Sequence, residues 1–262
     1  MSTWRRQAPD AELLPKLKAW FDSELGRQLL NEERVLIEAA LEGAFGHSLL
    51  ELGLSGRTLA SRPDAIRRHY CMGPPLQRDL GKHLDVMSGY ADLPVANESQ
   101  DVVIVHHLLE FIANPHNMLR ELERVIVPHG RLLIVGFNPL SLLGLKLHAV
   151  GRLSSNSVWR QHWLTLYRLE DWLGLLGFKV DKRWYGFHRL PVNKPHWLNK
   201  PLPMEPVSLR KVPMGGTFLL SATKYRAPVT PVRPRWIREP VVNVRPLGAA
   251  RQGNFSLSEH NQ

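Results

Sequence analysis

The chain has 262 residues, 44% of them hydrophobic, enough for one large α/β domain with a small appendage. Its single cysteine excludes an intramolecular disulfide and a multi-cysteine metal site. No apolar run is long enough to span a bilayer, and the N-terminal stretch lacks a signal peptide's apolar core, so a cytoplasmic location is expected. The net charge of +10 is uneven: residues 1–145 carry 15 Lys and Arg against 18 Asp and Glu, and residues 146–262 carry 19 against 6. That excess suits an anionic partner, nucleic acid or a membrane surface, and equally a solvated basic face with a basic tail.

Residues 9–46 read as two helices. Leu25, Leu29, Leu30, Val35, Leu36, Ala39 and Leu41 mark their apolar face, with Gly46 as the stop. Ser48 to Arg57 is a first strand with its glycine turn, and Ile66 to Cys71 is the next strand. Only nine residues, Pro63 among them, separate Gly56 from Ile66, whereas a parallel crossover takes about a dozen or more. The first crossover helix is therefore expected to be clipped, or replaced by an irregular link. Asp101 to Val105 is an apolar run of strand length. Asn114-Pro115 then opens a helix with Met118, Leu119, Leu122 and Val125 on one face. Pro128-His129-Gly130 ends it, and Arg131 to Val135 is a second apolar strand. Strand, helix and strand make a βαβ unit of a parallel sheet covered on both faces.

Asn138-Pro139 is expected to start the next helix. Residues 141–163 contain Lys146, Arg152 and Arg160 but no acid, interspersed with Leu142, Leu143, Leu145, Leu147 and Val150. They read as a lid or channel cover, with a membrane-surface helix as the alternative. Residues 169–178 form a helix ended by Gly177. Phe178 to Trp184 is a strand, and Gly216 to Lys224 is a last, antiparallel one. Beyond Tyr225 prolines and arginines intermingle without hydrophobic period, and this tail is read as disordered.

The stretch Tyr90 to Gly136 resembles the second half of the class I S-adenosylmethionine-dependent methyltransferases of the small-molecule type. Leu93-Pro94, Ser99-Gln100-Asp101, Leu109-Glu110, Pro115, Leu119, Glu121, Arg124-Val125 and Pro128-His129-Gly130 fall in the family's register. The resemblance implies an α/β fold: a Rossmann-like seven-stranded methyltransferase sheet, preceded by N-terminal helices and followed by the disordered basic tail. The corresponding segments are 1–46, then 47–225 with the lid at about 138–166, then 226–262. It also implies S-adenosylmethionine as cofactor. Glu51, Gly53, Ser55 and Gly56 would hold its methionine end, Tyr90 and Ala91 would lie at the adenine, and His106 and His107 would face the sulfonium.

The sequence departs from the family in three places. Of the glycines expected at the second, fourth and sixth positions after the first-strand acid, only Gly53 is present, with Ser55 and Arg57 at the others. The family's ribose-binding acid at the end of the second strand is replaced by Tyr70-Cys71-Met72-Gly73-Pro74-Pro75. Losing a charge-assisted contact there costs about 1.5–3 kcal/mol, or about tenfold to a hundredfold in affinity. Gly89-Tyr90 stand where the family often has an acid before the Leu-Pro pair.

Methyl transfer needs in-line positioning first, and a base only where the acceptor must lose a proton. His106 and His107 are the candidate bases, since imidazole accepts a proton near neutral pH. Together with Glu110 they also have a spacing open to metal ligation, but no metal site is expected. The expected function is methyl transfer from S-adenosylmethionine to a small-molecule acceptor. The alternative is a non-catalytic protein that kept the fold and lost cofactor affinity. Either form could make weak contacts with nucleic acid or acidic surfaces through the basic tail.

Overall fold

Apolar runs without polar alternation form strands where both faces are covered, and residues 102–105 and 132–135 are of that kind. A computed structural model describes residues 13–54, 59–61, 63–74, 85–87, 90, 92–153, 158–159, 163–189, 191 and 209–225. The expectations for Ser55, Gly56, Ala91 and the tail 226–262 lie outside these residues. Strands β1 (Gly46–Gly53), β2 (Ile66–Gly73), β3 (Val86–Met87), β4 (Gln100–His106), β5 (Ile126–Phe137), β6 (Phe178–Gly186) and β7 (Thr217–Lys224) form one sheet in the order β3-β2-β1-β4-β5-β7-β6. The first five are parallel, and β7 runs antiparallel to both β5 and β6. Six strands are long, while β3 is a two-residue edge. The last strand can insert between β5 and β6 because an antiparallel neighbour needs no crossover helix.

Among the described residues, five α-helices accompany the sheet: α1 (Leu13–Phe21), α2 (Glu24–Leu41), α3 (Pro115–Val125), α4 (Leu142–Leu153) and α5 (Leu166–Leu175). Ser23 opens α2 by accepting the Gly26 N–H, the capping arrangement in which a side-chain oxygen replaces a missing carbonyl. The two N-terminal helices share the sheet's core through Leu17, Phe21, Leu29 and Ile37. Helix α2 packs against β5, β6 and β7. Between β1 and β2 the described residues 59–61 and 63–65 are not helical, as the short spacing demands.

Several boundaries differ from the sequence reading. Helix α2 ends at Leu41, and Gly43, with φ of 71°, takes the left-handed position assigned to Gly46. Gly46 instead opens β1 where a Cβ would lie 2.5 Å from the side chain of Asp101. Val35 is exposed, because it lies off the stripe that carries Leu36 and Ile37 inward. Helix α3 stops at Val125 and β5 starts at once, so Pro128-His129-Gly130 is an irregular start within that strand. His129 is left-handed there (φ 64°), and a Cβ on Gly130 would meet the Val127 oxygen at 2.9 Å. Asn138 does not cap a helix. Its side chain donates to the Pro213 and Gly215 oxygens, and Ser141 caps α4 by accepting the Gly144 N–H.

Candidate functional site

The strand order reverses between β1 and β4: from β1 the chain winds outward through β2 and β3, then returns to β4 and winds the other way. In open α/β sheets the crevice beyond the carboxyl ends of the strands at such a switch point is where ligands bind. Gly53 ends β1 and His106 ends β4, and the two are register partners. A Cβ on Gly53 would lie 3.7 Å from the His106 oxygen and 3.8 Å from the His106 Cβ, ordinary packing distances. The hydroxyl of Tyr90 donates to the Gly53 carbonyl at 2.9 Å. Burial raises the Tyr90 phenol above its ordinary range, so it serves as a donor. Gly53, Tyr90 and His106 thus meet at one place.

His106 and His107 reach the crevice floor in a form the sequence reading missed. Glu33 of α2 bridges them, with Oε2 2.9 Å from His106 Nε2 and Oε1 2.8 Å from His107 Nε2. All three side chains are buried. Burial works to raise the Glu33 carboxyl, but the His107 charge and the two histidine hydrogen bonds outweigh it and hold it at about 2. Burial works to lower His107, yet the Glu33 charge, its hydrogen bond, and the nearby Glu110 carboxylate bring it up to about 9. His106 is driven down, by burial first and then by the His107 charge. The triad therefore holds one carboxylate, one imidazolium and one neutral imidazole.

His107 is additionally walled in. Its ring lies 4.0 Å from that of Phe137 and 5.4 Å from that of Phe21, and its own φ is 44°. Trp20 and Trp159 close over Phe137. Glu110, 3.6 Å from His107 Nδ1, accepts the Phe137 N–H at 2.8 Å. A protonated imidazole so enclosed, donating from Nε2 to Glu33, is not placed to accept a proton from an acceptor group. The one signal for Glu33 in the sequence was its place in the i, i+4 apolar series Leu29, Glu33, Ile37.

Glu51 also lies at the β1 end, but its carboxylate is buried and engaged. It accepts the Leu59 N–H at 2.8 Å and the Ala60 N–H at 3.4 Å, and stands 3.2 Å from His69 Nε2. It thereby fastens the link that replaces the crossover helix. Burial works to lower His69, while hydrogen bonds to Cys71 and Glu51 raise it to about 9. At the end of β2 stands Met72-Gly73 with no acid, and the nearby Asp85 carboxylate accepts the Cys71 N–H at 2.7 Å. Among the described residues, β2 thus ends without a carboxylate of its own.

Comparison with known proteins bears on this crevice. Residues 75–134 match the sequence profile described as a methyltransferase domain. A SAM-dependent methyltransferase of Thermotoga maritima, described as a possible histamine N-methyltransferase, superposes with a TM-score of 0.62. It is 16% identical, covering 82% of this chain and 98% of that one. The fold is that of the class I SAM-dependent methyltransferases. A chain from the complex of the Haloferax volcanii Trm112 methyltransferase activator with a methyltransferase superposes at 0.57, with 15% identity over 85% of this chain and all of that one. In sequence, the chain is 40% identical over 114 residues to the uncharacterized protein YafS of Escherichia coli strain K12. That match spans 44% of this chain and about half, 47%, of YafS.

Helix α4 buries Leu143 and Leu147 but exposes Leu142, Leu145 and Leu153. At the far edge of the sheet a cavity of about 690 Å3 lies along β6, lined among others by Lys182, Arg183, Trp184 and Lys211. Lys182 stands over the Trp184 ring and Arg183 is paired with Glu170. None of the described helices is long and apolar enough to cross a membrane.

Proposed function

We propose that the chain is a methyltransferase that binds S-adenosylmethionine in the crevice beyond β1 and β4 and methylates a small-molecule acceptor. The observation that carries this reading is the meeting of Gly53, Tyr90 and His106 at the switch point of a methyltransferase sheet. The bound cofactor would supply the electrophilic methyl group. Gly53, with Ser55 and Gly56, would let the backbone approach the methionine moiety, and Glu51 would act by holding the turn. Tyr90 and Ala91 would border the adenine. His106 would line the cofactor's sulfonium side, and His107 would fix the crevice floor through Glu33 and Phe137. Segment 138–166 would cover the acceptor. No transmembrane helix is required, and a cytoplasmic site of action suits such an enzyme.

The alternative, a methyltransferase-like binding or regulatory protein, is favoured by two features. The histidines are locked by Glu33 and aromatic rings, and the ribose end lacks its acid. Calorimetric titration of the cofactor-free protein with S-adenosylmethionine and S-adenosylhomocysteine separates the two readings, with Gly53→Val as control. A Cβ there makes only ordinary contacts, so the variant is expected to fold, which circular dichroism checks. Micromolar binding in the native protein, lost in the variant, is expected. No binding at millimolar ligand overturns the enzyme reading. A weak nucleic-acid or acidic-surface contact through residues 226–262 is a separate matter. Removal of residues 227–262 should abolish retention of RNA, and unchanged retention dismisses that contact.

A further inference from the structure

Outside the crevice, a second set of buried donors lies on one face of β1 and β2. Glu51 and Cys71 are register partners on the two adjacent strands, and His69 lies two residues before Cys71, so all three project on one side. The separations are 3.2 Å from Glu51 Oε2 to His69 Nε2, 3.8 Å from His69 Nε2 to Cys71 Sγ, and 4.0 Å from Cys71 Sγ to Glu51 Oε2. The two sulfur separations are those of weak sulfur hydrogen bonds and lie a few tenths of an ångström beyond the edges of a coordination tetrahedron. Bonds of about 2.0–2.3 Å to zinc place neighbouring ligands about 3.3–3.6 Å apart. A shift of a few tenths of an ångström closes the difference.

We propose that Glu51, His69 and Cys71 form a binding site for a thiophilic divalent transition-metal ion, Zn2+ foremost. Thiolate, imidazole and carboxylate together are the donors that ion takes, and three protein ligands leave a fourth position exchangeable. The donors stand on two paired strands, which hold geometry better than loops. Their supports are in place. The Leu59 N–H holds Glu51 Oε1 at 2.8 Å and the Ala60 N–H reaches Oε2 more weakly at 3.4 Å, so Oε2 is the oxygen turned to His69 and Cys71, and Asp85 clamps the Cys71 backbone through both its N–H and its carbonyl. Such outer partners orient ligands. The His69 side chain is 12% exposed, which gives the ion a way in. The ion fastens β1 to β2 where no crossover helix stands among the described residues.

The Glu33, His106 and His107 cluster is the weaker candidate. Its contacts of 2.8 and 2.9 Å are those of direct hydrogen bonds, and its side chains are 2% exposed at most.

The test uses the full-length protein stripped with a chelator and titrated with Co2+, followed by Zn2+. We expect one Co2+ per chain, a thiolate-to-cobalt charge-transfer absorption, and its loss when Zn2+ displaces the cobalt. Cys71→Ser, a near-isosteric change, should abolish the band while circular dichroism stays native, and His69→Gln should weaken binding. Zn2+ should raise the melting temperature of the native protein and not that of Cys71→Ser. No band with folded native protein overturns the site, as does a band that persists in Cys71→Ser. Cobalt binding without a thiolate band places the ion elsewhere and overturns it equally. The readout needs no S-adenosylmethionine, so this result and the cofactor titration stand or fall separately.

Discussion

A carboxylate in the apolar stripe of a helix is stable only where its charge is answered. Glu33 meets that condition with two histidines from the end of β4. His107 is held protonated up to about 9 against an ordinary 6.5. Its contribution to stability is complete below about 6.5 and is lost as pH rises through about 9. Glu33, held charged down to about 2 against 4.5, contributes fully above 4.5 and loses that contribution as pH falls toward 2. His106 is lowered, so protonation of the unfolded chain below its ordinary value of 6.5 also favours unfolding. Glu110 faces His107 and the Glu51 charge acts on His106, both adding to the raising side. The triad's stabilisation is therefore greatest near 6.5, declining as pH rises from there toward about 9 and as it falls below 6.5. Glu33→Gln leaves an imidazolium buried without its counter-charge and should cost about 3 kcal/mol. Denaturant midpoints measured across pH should peak near 6.5 for the native protein and fall on either side, and flatten for the variant. An unchanged profile would mean that the triad does not titrate as a unit. At the neighbouring Gly136, a Cβ would lie 2.6 Å from Glu110 Oε1 and 2.8 Å from the Phe218 ring. Gly136→Ala should accordingly lower the melting temperature by several degrees, at about 1–3 kcal/mol for overpacking.

Between elements, the joint of α3 with the strands around it rests on two cations. Lys224, at the end of β7, is buried and donates to the Glu123 carbonyl at 2.5 Å and the Ile126 carbonyl at 3.0 Å. A cation there also answers the negative end of the helix. Lys224→Met keeps the stem's packing and leaves the two carbonyls without that donor, which should cost about 2 kcal/mol in urea unfolding. A loss under a few tenths would show the carbonyls rehydrated. Arg124 of α3 donates to the Leu93 and Val95 carbonyls and pairs with Glu121. It thereby holds the Leu93-Pro94 bend against the helix. This is the physical content of the Leu-Pro, Glu and Arg-Val register that the sequence displayed: residues close in the text fold into one local joint. The apolar periods of β4 and α3 were legible for the same reason. The contacts that escaped reading join distant parts of the chain. Glu33 and His106 are 73 positions apart, and Asn138 and Gly215 are 77 apart. A polar residue's long-range partner leaves no periodic trace, and the left-handed His129 gave Pro128-His129-Gly130 the look of a stop while the strand ran on.

On the scale of the molecule, the sheet order could be inferred from the succession of strands and the handedness of their crossovers, whereas the closure of the crevice could not. That closure depends on the N-terminal helices, which the sequence set apart as residues 1–46. Leu17, Phe21, Leu29, Leu36 and Ile37 are each less than 5% exposed and belong to the core that also holds Val103, Ile104 and Leu133. Each such side chain contributes about 1.5–3 kcal/mol by burial, so the five together rival the whole net stability of an ordinary domain, about 5–15 kcal/mol. Glu33 adds the counter-charge of His107 from the same helices. A chain beginning at His47 would therefore expose the covered face of the sheet and bury an unanswered imidazolium. It should show no cooperative thermal transition and should elute as aggregate, while the full-length protein melts in a single step. Adding back a peptide of residues 9–46 should restore part of the transition, since the lost contacts are noncovalent. A truncated chain that melts sharply by itself would show that the helices are an appendage on an independently stable sheet.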